Sequence, residues 1–358
     1  MRKLDWYIIK KFLGTFFFSI TLILLIVVVF DISEKIDDFI EKQAPLKAII
    51  FEYYLNFIPY FGNLFSPLFT FIAVIFFTSK MAGNTEIISI LSSGVSFNRM
   101  LRPFLISATI LGILSFLLGN FIIPPANQTR LDFENTYIKN PYRNRDKNIH
   151  MQISPGSFVY MESYNTNKNI GYKFSMEQFD DGKLKQKLFA NYVEWDSTNG
   201  EWNVHHYFMR KLNGLQEEIT EGKELDTLIN LHPKDFNVRL NTVETMNFFE
   251  LNDYIDEARM KGSKNLVFHL IEKHKRIAFP FATIILTLIA VAFASKKVRG
   301  GIGLHLGAGL LISFSYILFM QVSTTFATNG DLSPMLAVWI PNLCYMVLAA
   351  YLLRKAPK

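Results

Sequence analysis

The sequence predicts an α+β membrane protein in which six membrane-spanning helices, arranged three plus three, flank an inserted antiparallel β domain. Three observations lead to this prediction. Half of the 358 residues are hydrophobic and only 19% are charged, and the mean hydropathy is positive at +0.19. The hydrophobic residues are concentrated in six long runs. Between the third and fourth runs the pattern changes to the short alternating segments typical of strands.

Each of the six runs is about 19 residues or longer, which is enough α-helix to cross a hydrocarbon layer of roughly 30 Å. The first run is longer than an ordinary signal-peptide core and is not followed by a small-residue cleavage site, so we expect it to remain as an anchor. The runs occupy residues 12–30, 53–79, 103–123, 277–295, 302–326 and 332–353.

The orientation of the spans follows from the lysines and arginines beside them. If the helices alternate in direction, all four basic groups lie on one side of the membrane, which the positive-inside rule identifies as the cytoplasm. We therefore expect both termini in the cytoplasm and the inserted domain on the opposite side. The net charge of +6 then reflects topology and not nucleic-acid binding. The basic groups are Arg2, Lys3, Lys10 and Lys11; Lys80, Arg99 and Arg102; Lys296, Lys297 and Arg299; and Arg354, Lys355 and Lys358.

The inserted domain is rich in aromatic and β-branched residues between turn clusters such as Asp196–Gly200, a pattern that favours an antiparallel sandwich or jelly roll. After about Met246 the pattern becomes helical, and Gly262 is placed to end that helix. We expect transmembrane helices 1–3 in residues 1–125, the β domain in 126–246, and connecting helices with helices 4–6 in 247–358. The predicted strands are Ser157–Glu162, Ile170–Met176, Lys185–Trp195 and Trp202–Met209.

Signatures of catalysis are absent from the sequence. There is no phosphate-binding P-loop, no zinc-protease motif and no nucleophile elbow. The seven histidines are scattered and Cys344 is the only cysteine. We therefore expect no catalytic residues, no metal site and no cofactor bound by this chain. The span interiors lack Asp, Glu, Lys and Arg, which argues against ion-coupled transport, so the energy for any transport is expected to come from another chain.

A short amphipathic helix is predicted between the second and third spans, at about residues 83–97. Asn84 is expected to cap its start, Glu86 lies in the first turn where the helix dipole favours an anion, and Gly94 ends it. Such a helix either lies flat in the membrane surface or inserts into a groove on a partner, and the pattern fits both. Its apolar residues are Ile87, Ile88, Ile90 and Leu91.

Glycines give the start of the fifth span a smooth face. Gly303 and Gly307 are four residues apart, a spacing that permits close approach of another helix. Two interpretations remain open: packing within the chain, or a gate that opens and closes.

An ordered set of short motifs over nearly the whole chain resembles the LptF/LptG permeases of the lipopolysaccharide export ABC transporter. The three-plus-three arrangement with a β domain in the middle is part of the resemblance. The motifs are Leu4–Lys10, Pro59 and Pro67, Thr85–Gly94, Pro124–Asn127, Gly156–Tyr160, Glu250–Ile255 with Gly262, Arg276–Pro280, Lys297–Gly301 and Trp339–Asn342.

The resemblance implies a permease subunit that extracts lipopolysaccharide from the inner membrane of a Gram-negative bacterium and passes it to a periplasmic bridge toward the outer membrane. It implies a second LptF/LptG-like permease, an LptB-like ATPase dimer that binds ATP and Mg²⁺, and LptC-like and LptA-like bridge proteins. The inserted domain would be a periplasmic jelly roll. This chain itself would not be an enzyme, since ATP hydrolysis belongs to the ATPase.

The resemblance also assigns roles to residues. Glu86 matches the family's coupling-helix glutamate, and with Ile87, Ile90 and Leu91 it would contact the ATPase. The family's gate lies between the first and fifth spans, which gives Gly303 and Gly307 a place in it. Lys35 and Arg276 are the candidate lipid-binding cations. The sequence departs from the family here, because the end of the first span that carries Lys35 is acidic, with Asp31, Glu34, Asp37 and Asp38.

Two other classes of function are compatible with a polytopic chain. An ABC mechanotransmission subunit drives a periplasmic partner without moving lipid through the membrane, but such proteins place the large domain after the first span, and here it follows the third. A membrane enzyme acting on lipids would need a catalytic cluster, for which the acidic segment 31–38 is the only candidate; solvated loop charge is the simpler interpretation. The sequence is equally compatible with an LptF or an LptG role, with a homodimer or heterodimer of permeases, and with any lipopolysaccharide chemotype.

Overall fold

The computed structural model describes residues 3–139, 144–214, 216–227, 229–236, 240–298 and 301–356. Three of the basic residues used to orient the spans, Arg2, Arg299 and Lys358, lie outside the described residues. The chain divides into two compact units. A helical unit comprises Met1–Lys139, Val243–Phe249 and Val267–Lys358, and a sheet unit comprises Asn140–Thr242 and Glu250–Leu266.

Six helices in the described residues are long and apolar enough to cross a membrane, which confirms the predicted number of spans. A short helix lies between the second and third of them, and another helix precedes the fourth. The helices are α1 (Lys3–Glu41), α2 (Leu46–Gly83), α3 (Glu86–Ser92), α4 (Phe97–Tyr137), α5 (Phe248–Met260), α6 (Leu266–Ala294), α7 (Gly301–Asn329) and α8 (Pro334–Arg354).

Helix α1 is longer than a membrane is thick. Its 39 residues span about 58 Å at about 1.5 Å per residue, against roughly 30 Å of hydrocarbon. It contains no proline, and Gly14 is its only glycine. The acidic segment that begins at Asp31 is therefore part of the same rigid helix as the apolar run.

Helices α2 and α4 each contain a short π-helical segment, at Ile49–Tyr54 and at Leu118–Ile122 respectively. A π segment adds a residue to the turn and rotates the side chains that follow it. In α2 this places the neighbouring residues Tyr53 and Tyr54 both in the interior, where they are 0% and 8% exposed.

Helix α6 is the most buried span. In the most apolar stretch of 18 residues of each span, 67% is buried in α6, against 17% in α1 and 22% in α7. Small side chains on α6 allow this: Ala278, Ala282, Ala290 and Ala294 are all fully buried in the core of the helical unit. The inner face of α6 therefore lies in the core of the helical unit.

Polar side chains join α6, α7 and α8 inside the unit. The Tyr316 hydroxyl donates to Asn342 Oδ1 at 2.9 Å, and Asn342 Nδ2 donates to the Ala278 carbonyl at 3.2 Å. The Ser323 hydroxyl donates to the Ala337 carbonyl at 2.6 Å. Pro341 has no N–H, so the carbonyl four residues before it, that of Ala337, lacks its usual helical partner and is satisfied by Ser323 instead.

The sheet unit contains one six-stranded antiparallel sheet whose order follows the chain, β1-β2-β3-β4-β5-β6. The predicted antiparallel pairing and the four predicted strands are confirmed; β1 and β6 are additions that the pattern did not predict. Each connection is only two or four residues long, so the described strands form a meander and not the crossed order of a jelly roll. The strands are β1 (Lys147–Ser154), β2 (Ser157–Asn165), β3 (Ile170–Asp180), β4 (Lys183–Asp196), β5 (Glu201–Asn213) and β6 (Gln216–Thr227).

One face of the sheet carries the core of this unit. Trp202 is fully buried, and its indole N–H donates to the Leu231 carbonyl at 2.9 Å, so the chain after β6 is fixed against β5. Phe174, Val193 and Val204 are also fully buried. Burying a side chain of this size stabilises a fold by about 1.5–3 kcal/mol.

Gly156 shows why one of the short motifs contains glycine. It lies in the turn between β1 and β2 with φ of +77°, and an added Cβ would be 2.5 Å from the Phe179 carbonyl oxygen. The Phe179 amide also donates to the Gly156 carbonyl at 2.7 Å. Both the backbone conformation and the close approach of β3 therefore require a residue without a side chain.

Candidate functional site

The short helix α3 has the predicted end but not the predicted start. It ends at Ser92, and Gly94 follows with φ of +86°, as expected of a helix terminator. The predicted cap at Asn84 is wrong: the helix begins at Glu86, and the N-cap residue is Thr85, whose side chain makes no capping bond. Asn84 instead donates its side-chain amide to Glu86 Oε1 at 3.2 Å. Thr85 has φ of +62°, an uncommon conformation for a β-branched residue.

Glu86 connects α3 to the first span. Its Oε2 accepts a hydrogen bond of 3.2 Å from the Tyr7 hydroxyl, and the two residues are 79 positions apart. The carboxylate is therefore held from two sides, by Tyr7 of α1 and by Asn84, while remaining partly exposed. This hydrogen bond joins the start of α3 to the start of α1.

The isoleucines of α3 point in different directions. Ile87 is 1% exposed and packs into the core of the helical unit, with Ile90 and Leu91 half-buried beside it. Ile88 is 55% exposed. The surface that α3 presents therefore consists of Ile88, Ser89 and Ser92 with the partly exposed Glu86, and Ile87 anchors the helix to the spans.

A bidentate ion pair lies beside α3. Arg99, at the start of α4, donates from its two terminal nitrogens to the two carboxylate oxygens of Asp5 at 2.7 and 2.8 Å. Asp5 is only 5% exposed. Since paired guanidinium and carboxylate groups fix both distance and direction, this contact sets the position of α1 relative to α4.

The glycine side of α7 is divided between a packed face and an open face. An added Cβ at Gly309 would collide with Ile75 of α2, whereas no contact from the described residues lies within 4 Å of an added Cβ at Gly303 or Gly307. On the packed face, His305 Nδ1 lies 2.8 Å from the Ser79 hydroxyl, and both residues are buried. Packing within the chain therefore explains Gly309 but not Gly303 or Gly307.

Lys35, one of the two predicted lipid-binding cations, is engaged within the chain. Its ammonium lies 2.6 Å from Asp31 Oδ1 and also donates to the Tyr53 hydroxyl. The Tyr54 hydroxyl donates to the other Asp31 oxygen at 3.0 Å. These contacts fasten the end of the first span to the π segment of α2 and leave the Lys35 side chain 21% exposed.

Arg276, the second predicted cation, is also engaged. Its guanidinium donates to the carbonyls of Met246 and Val243 at 2.7 and 2.9 Å and to Glu272 Oε1 at 3.1 Å. The side chain is 6% exposed. Arg276 thus holds the segment Val243–Phe249 against α6.

A second arginine holds the same segment. Arg130 of α4 donates to Glu134 Oε1 at 2.7 Å, lies 4.0 Å from Glu244 Oε2, and packs 4.9 Å from the centre of the Tyr60 ring. Asn127 donates to the Glu244 carbonyl at 3.3 Å. We call Tyr60, Arg130, Glu134, Glu244, Glu272 and Arg276 the charged cluster.

A comparison with protein families matches residues 6–355 to the family described as "Lipopolysaccharide export system permease LptF/LptG". The match covers nearly the whole chain. The chain belongs to the LptF/LptG family. A comparison with curated proteins finds no match. The resemblance drawn from the sequence motifs is confirmed, and the protein is a permease component of a lipopolysaccharide export system.

In this LptF/LptG chain the candidate site residues form separate groups within the helical unit. Glu86, Ile87, Ile90 and Leu91 lie together on α3, and Gly303 and Gly307 share the open face of α7. Lys35 and Arg276 belong to different networks, each with its own carboxylate. The assigned functional roles of these residues stay predictions.

The most informative partners are residues that sequence reasoning missed. They are Tyr7 and Asp5 with Arg99 near α3, Ser79 beside α7, and Glu244 in the charged cluster. Each partner pair is separated by tens of residues or more in the sequence. Only charge in an otherwise apolar context, as at Asp5, is a signal that a pattern search would detect.

Glu244 has an unusual proton affinity for a carboxyl group. Burial and the neighbouring Glu272 raise the pKa of Glu244 from its ordinary 4.5 to about 7, and Arg130 and Arg276 oppose the rise. Between pH 4.5 and 7 the folded protein therefore keeps a proton that the unfolded chain has lost. The stability associated with this group is fully present below pH 4.5 and is lost as the pH rises through 7.

We expect Glu244→Gln in this LptF/LptG protein to flatten the pH dependence of its stability. Glutamine imitates the protonated carboxyl, so the variant avoids the cost of ionising a buried group, which is at most about 1.4 kcal/mol per pH unit for one proton. Thermal unfolding in detergent from pH 4.5 to 8 measures this. The unfolding temperature of the variant should rise relative to that of the wild type between pH 4.5 and about 7, and the difference should level off above that pH. Glu218→Gln, at an exposed strand position, is the matched control. Parallel curves for wild type and Glu244→Gln would contradict the assignment.

Proposed function

We propose that this chain is a permease subunit that extracts lipopolysaccharide from the inner membrane and transfers it to a periplasmic bridge. The family match over residues 6–355 carries the proposal. A second subunit of the same family would contact the exposed sides of α1 and α7. An LptB-like ATPase dimer would bind α3 and supply the energy. LptC-like and LptA-like proteins would receive the lipid.

The distribution of buried surface supports lipid entry beside α1 and α7. These two spans are the least buried in the chain, although both are strongly apolar. Leu25 on α1 and Leu311 on α7 are 64% and 73% exposed. In a bilayer such faces are covered by lipid or by another subunit, and a contact between two subunits that opens would admit acyl chains.

The contacts around α3 support a coupling role for it. Ile88, Ser89 and Ser92 are exposed to a partner, Glu86 is partly exposed beside them, and Ile87 holds the helix to the core. The Tyr7–Glu86 and Asp5–Arg99 contacts then connect that surface to the first and third spans. A push on α3 by an ATPase would displace the start of α1, which is one side of the proposed gate.

We propose that both termini are cytoplasmic and the sheet unit is periplasmic, because only this orientation places all four basic groups inside. In a Cys344→Ser background, Asn167→Cys should react with a membrane-impermeant maleimide in intact spheroplasts, and Asn98→Cys should react only after lysis. Both asparagines are exposed in the structure. The opposite labelling pattern would reverse the topology.

Glu86→Lys is expected to separate the permease from its ATPase while the chain still folds. The substitution reverses a charge in the first turn of α3, where the helix dipole contributes roughly 0.3–1 kcal/mol, and it repels a cationic partner site. Co-purification of the ATPase subunit and ATP hydrolysis by the complex should fall several-fold.

Two further variants distinguish the effect of the Glu86 charge from the effect of its hydrogen bond to Tyr7. Glu86→Gln removes the charge but retains an acceptor for Tyr7, and Tyr7→Phe removes only the internal hydrogen bond. Co-purification should be weakest for lysine, intermediate for glutamine and near normal for Tyr7→Phe. Unchanged co-purification of Glu86→Lys would exclude an interface role.

Gly307→Leu is expected to leave the isolated chain stable and to impair lipid release by the assembled transporter. Among the described residues, no atom lies within 4 Å of an added Cβ at Gly307, so we expect a leucine there to contact a neighbouring subunit, where overpacking costs about 1–3 kcal/mol. Photo-crosslinking of lipid A to α1, followed through ATP addition, measures loading and release.

Gly309→Leu is the matched control. It is expected to destabilise the isolated chain, because a side chain there collides with Ile75. If Gly307→Leu loads and releases lipid as the wild type does, the open face of α7 is not part of a gate.

A further inference from the structure

The charged cluster borders a cavity in the helical unit. The cavity has a volume of about 200 Å³ and lies among α2, α4, α6 and the segment Val243–Phe249. Gly119 is part of its wall, where the missing side chain leaves space. Its polar wall is formed by Tyr60, Asn127, Glu244, Glu272, Lys275 and Arg276.

The charges in this wall are mixed in sign. Two are carboxylates, Glu244 and Glu272, and each has spare acceptor capacity: Glu244 accepts from Tyr60, and Glu272 accepts from Arg276. The Arg276 guanidinium is already occupied by Glu272 and two carbonyls. Lys275 makes no hydrogen bond or ion pair with any described residue. The wall therefore offers carboxylate oxygens for an ammonium group and one unpaired ammonium for a phosphate.

A second, apolar cavity adjoins the first. It has a volume of about 170 Å³ and lies among α1, α2 and α4. Asn63 and Ser115 line both cavities, and the Ser115 hydroxyl donates to Asn63 Oδ1 at 2.7 Å. An added Cβ at Gly62 would lie 3.6 Å from Leu24, so this glycine keeps the apolar cavity open. Its apolar wall includes Phe17, Leu24, Ile58, Leu114 and Leu118.

We propose that these two cavities bind an amine-bearing phospholipid of the phosphatidylethanolamine class. The ammonium group pairs with Glu244 and Glu272, the phosphate pairs with Lys275, and one acyl chain enters the apolar cavity. With Glu244 ionised, as a neighbouring ammonium group favours, the four charged side chains of the wall sum to zero, which matches a zwitterionic headgroup and disfavours an anionic one. Matched polar and apolar compartments in direct contact are what an amphiphile requires.

This site shares α1 with the proposed gate for lipopolysaccharide but contains no part of α7. Neither cavity has a residue of α7 in its wall, whereas the proposed gate lies between α1 and α7. This inference rests on one part of the proposed function, that the helical unit lies in the membrane. It does not depend on lipopolysaccharide being the transported substrate. A bound lipid would join α2, α4 and α6 at the end of the helical unit that holds the segment Val243–Phe249.

The test is lipid binding by the purified full-length chain, without ATPase and without lipopolysaccharide. Native mass spectrometry of delipidated protein would be titrated with 16:0–18:1 phosphatidylethanolamine, phosphatidylcholine and phosphatidylglycerol. We expect phosphatidylethanolamine to bind at least five-fold more tightly than the other two. The methylated amine of phosphatidylcholine cannot donate N–H hydrogen bonds to the carboxylates, and phosphatidylglycerol lacks an ammonium group. Equal binding of the three lipids would overturn the proposal.

Variants test each compartment. The double variant Glu244→Gln with Glu272→Gln should abolish the preference for phosphatidylethanolamine, and Glu41→Gln, exposed near the end of α1, should not change it. Gly62→Leu fills the apolar cavity, so it should weaken phosphatidylethanolamine binding while leaving glycerophosphoethanolamine, the headgroup without acyl chains, unaffected. Each variant is compared with the wild type in elution profile and unfolding temperature.

A retained preference in the double glutamine variant, with normal elution and unfolding, would refute the role of the carboxylates. Because the ATPase and lipopolysaccharide are absent, failure of this test leaves the Glu86 and Gly307 experiments unaffected. The reverse also holds. If the Glu86 or Gly307 experiments contradict the coupling or gate hypothesis, the expected preference for phosphatidylethanolamine does not change.

Discussion

The structure of the helical unit depends on one constraint: in hydrocarbon, every backbone N–H and C=O group needs a partner within the protein. Helices satisfy this requirement except where a proline removes an N–H. The Ala337 carbonyl, deprived of its partner by Pro341, accepts a hydrogen bond from Ser323 on the neighbouring span. The requirement that makes each span a helix therefore also fixes α7 against α8. Asn342, bridging Tyr316 and the Ala278 carbonyl, extends the same connection to α6.

Charged contacts then fix the two ends of the helical unit. At one end the Asp5–Arg99 ion pair and the Tyr7–Glu86 hydrogen bond connect α1, α3 and α4. At the other end Asp31 pairs with Lys35 and accepts hydrogen bonds from the hydroxyls of Tyr53 and Tyr54. These contacts connect first-span residues to residues of other helices, so α1 is held at both ends while its apolar middle remains exposed. A helix held in this way transmits displacement along its length, as the proposed coupling between ATPase and gate requires.

The lipid-binding cations illustrate how internal pairing changes the interpretation of charge. In the sequence, Lys35 and Arg276 are the cations expected to meet lipid phosphate. In the structure each is neutralised by a carboxylate of its own helix one turn away, Asp31 and Glu272 respectively. Recruiting either cation to a phosphate would require breaking a partly buried pair. The proposed phospholipid site therefore uses Lys275, which has no partner among the described residues.

Strong local signals made much of the fold predictable. Six spans, the antiparallel strands from Ser157 to Met209, and the helix terminators Gly94 and Gly262 all follow from periodicity and turn chemistry. Strand β6 was missed because half of its residues are charged and most are exposed on both faces, so no alternation marks it. The same surface charge protects an edge strand from pairing with other chains. The Asn84 cap was wrong because its side chain bonds to Glu86 instead.

The sequence by itself determined which segments enter the membrane, since transfer of apolar residues from water depends on composition and length alone. It also indicated the family, through motifs spread from Leu4 to Asn342, and the family match over residues 6–355 confirms it. Only the tertiary structure decided which side chains meet. Ser79 lies beside His305, 226 positions away, and Gly309 packs against Ile75, whereas in the described part of the chain no atom lies within 4 Å of an added Cβ at Gly307. Such contacts depend on the rotation of each helix about its axis, which π segments and prolines alter, and no local pattern in the sequence specifies it.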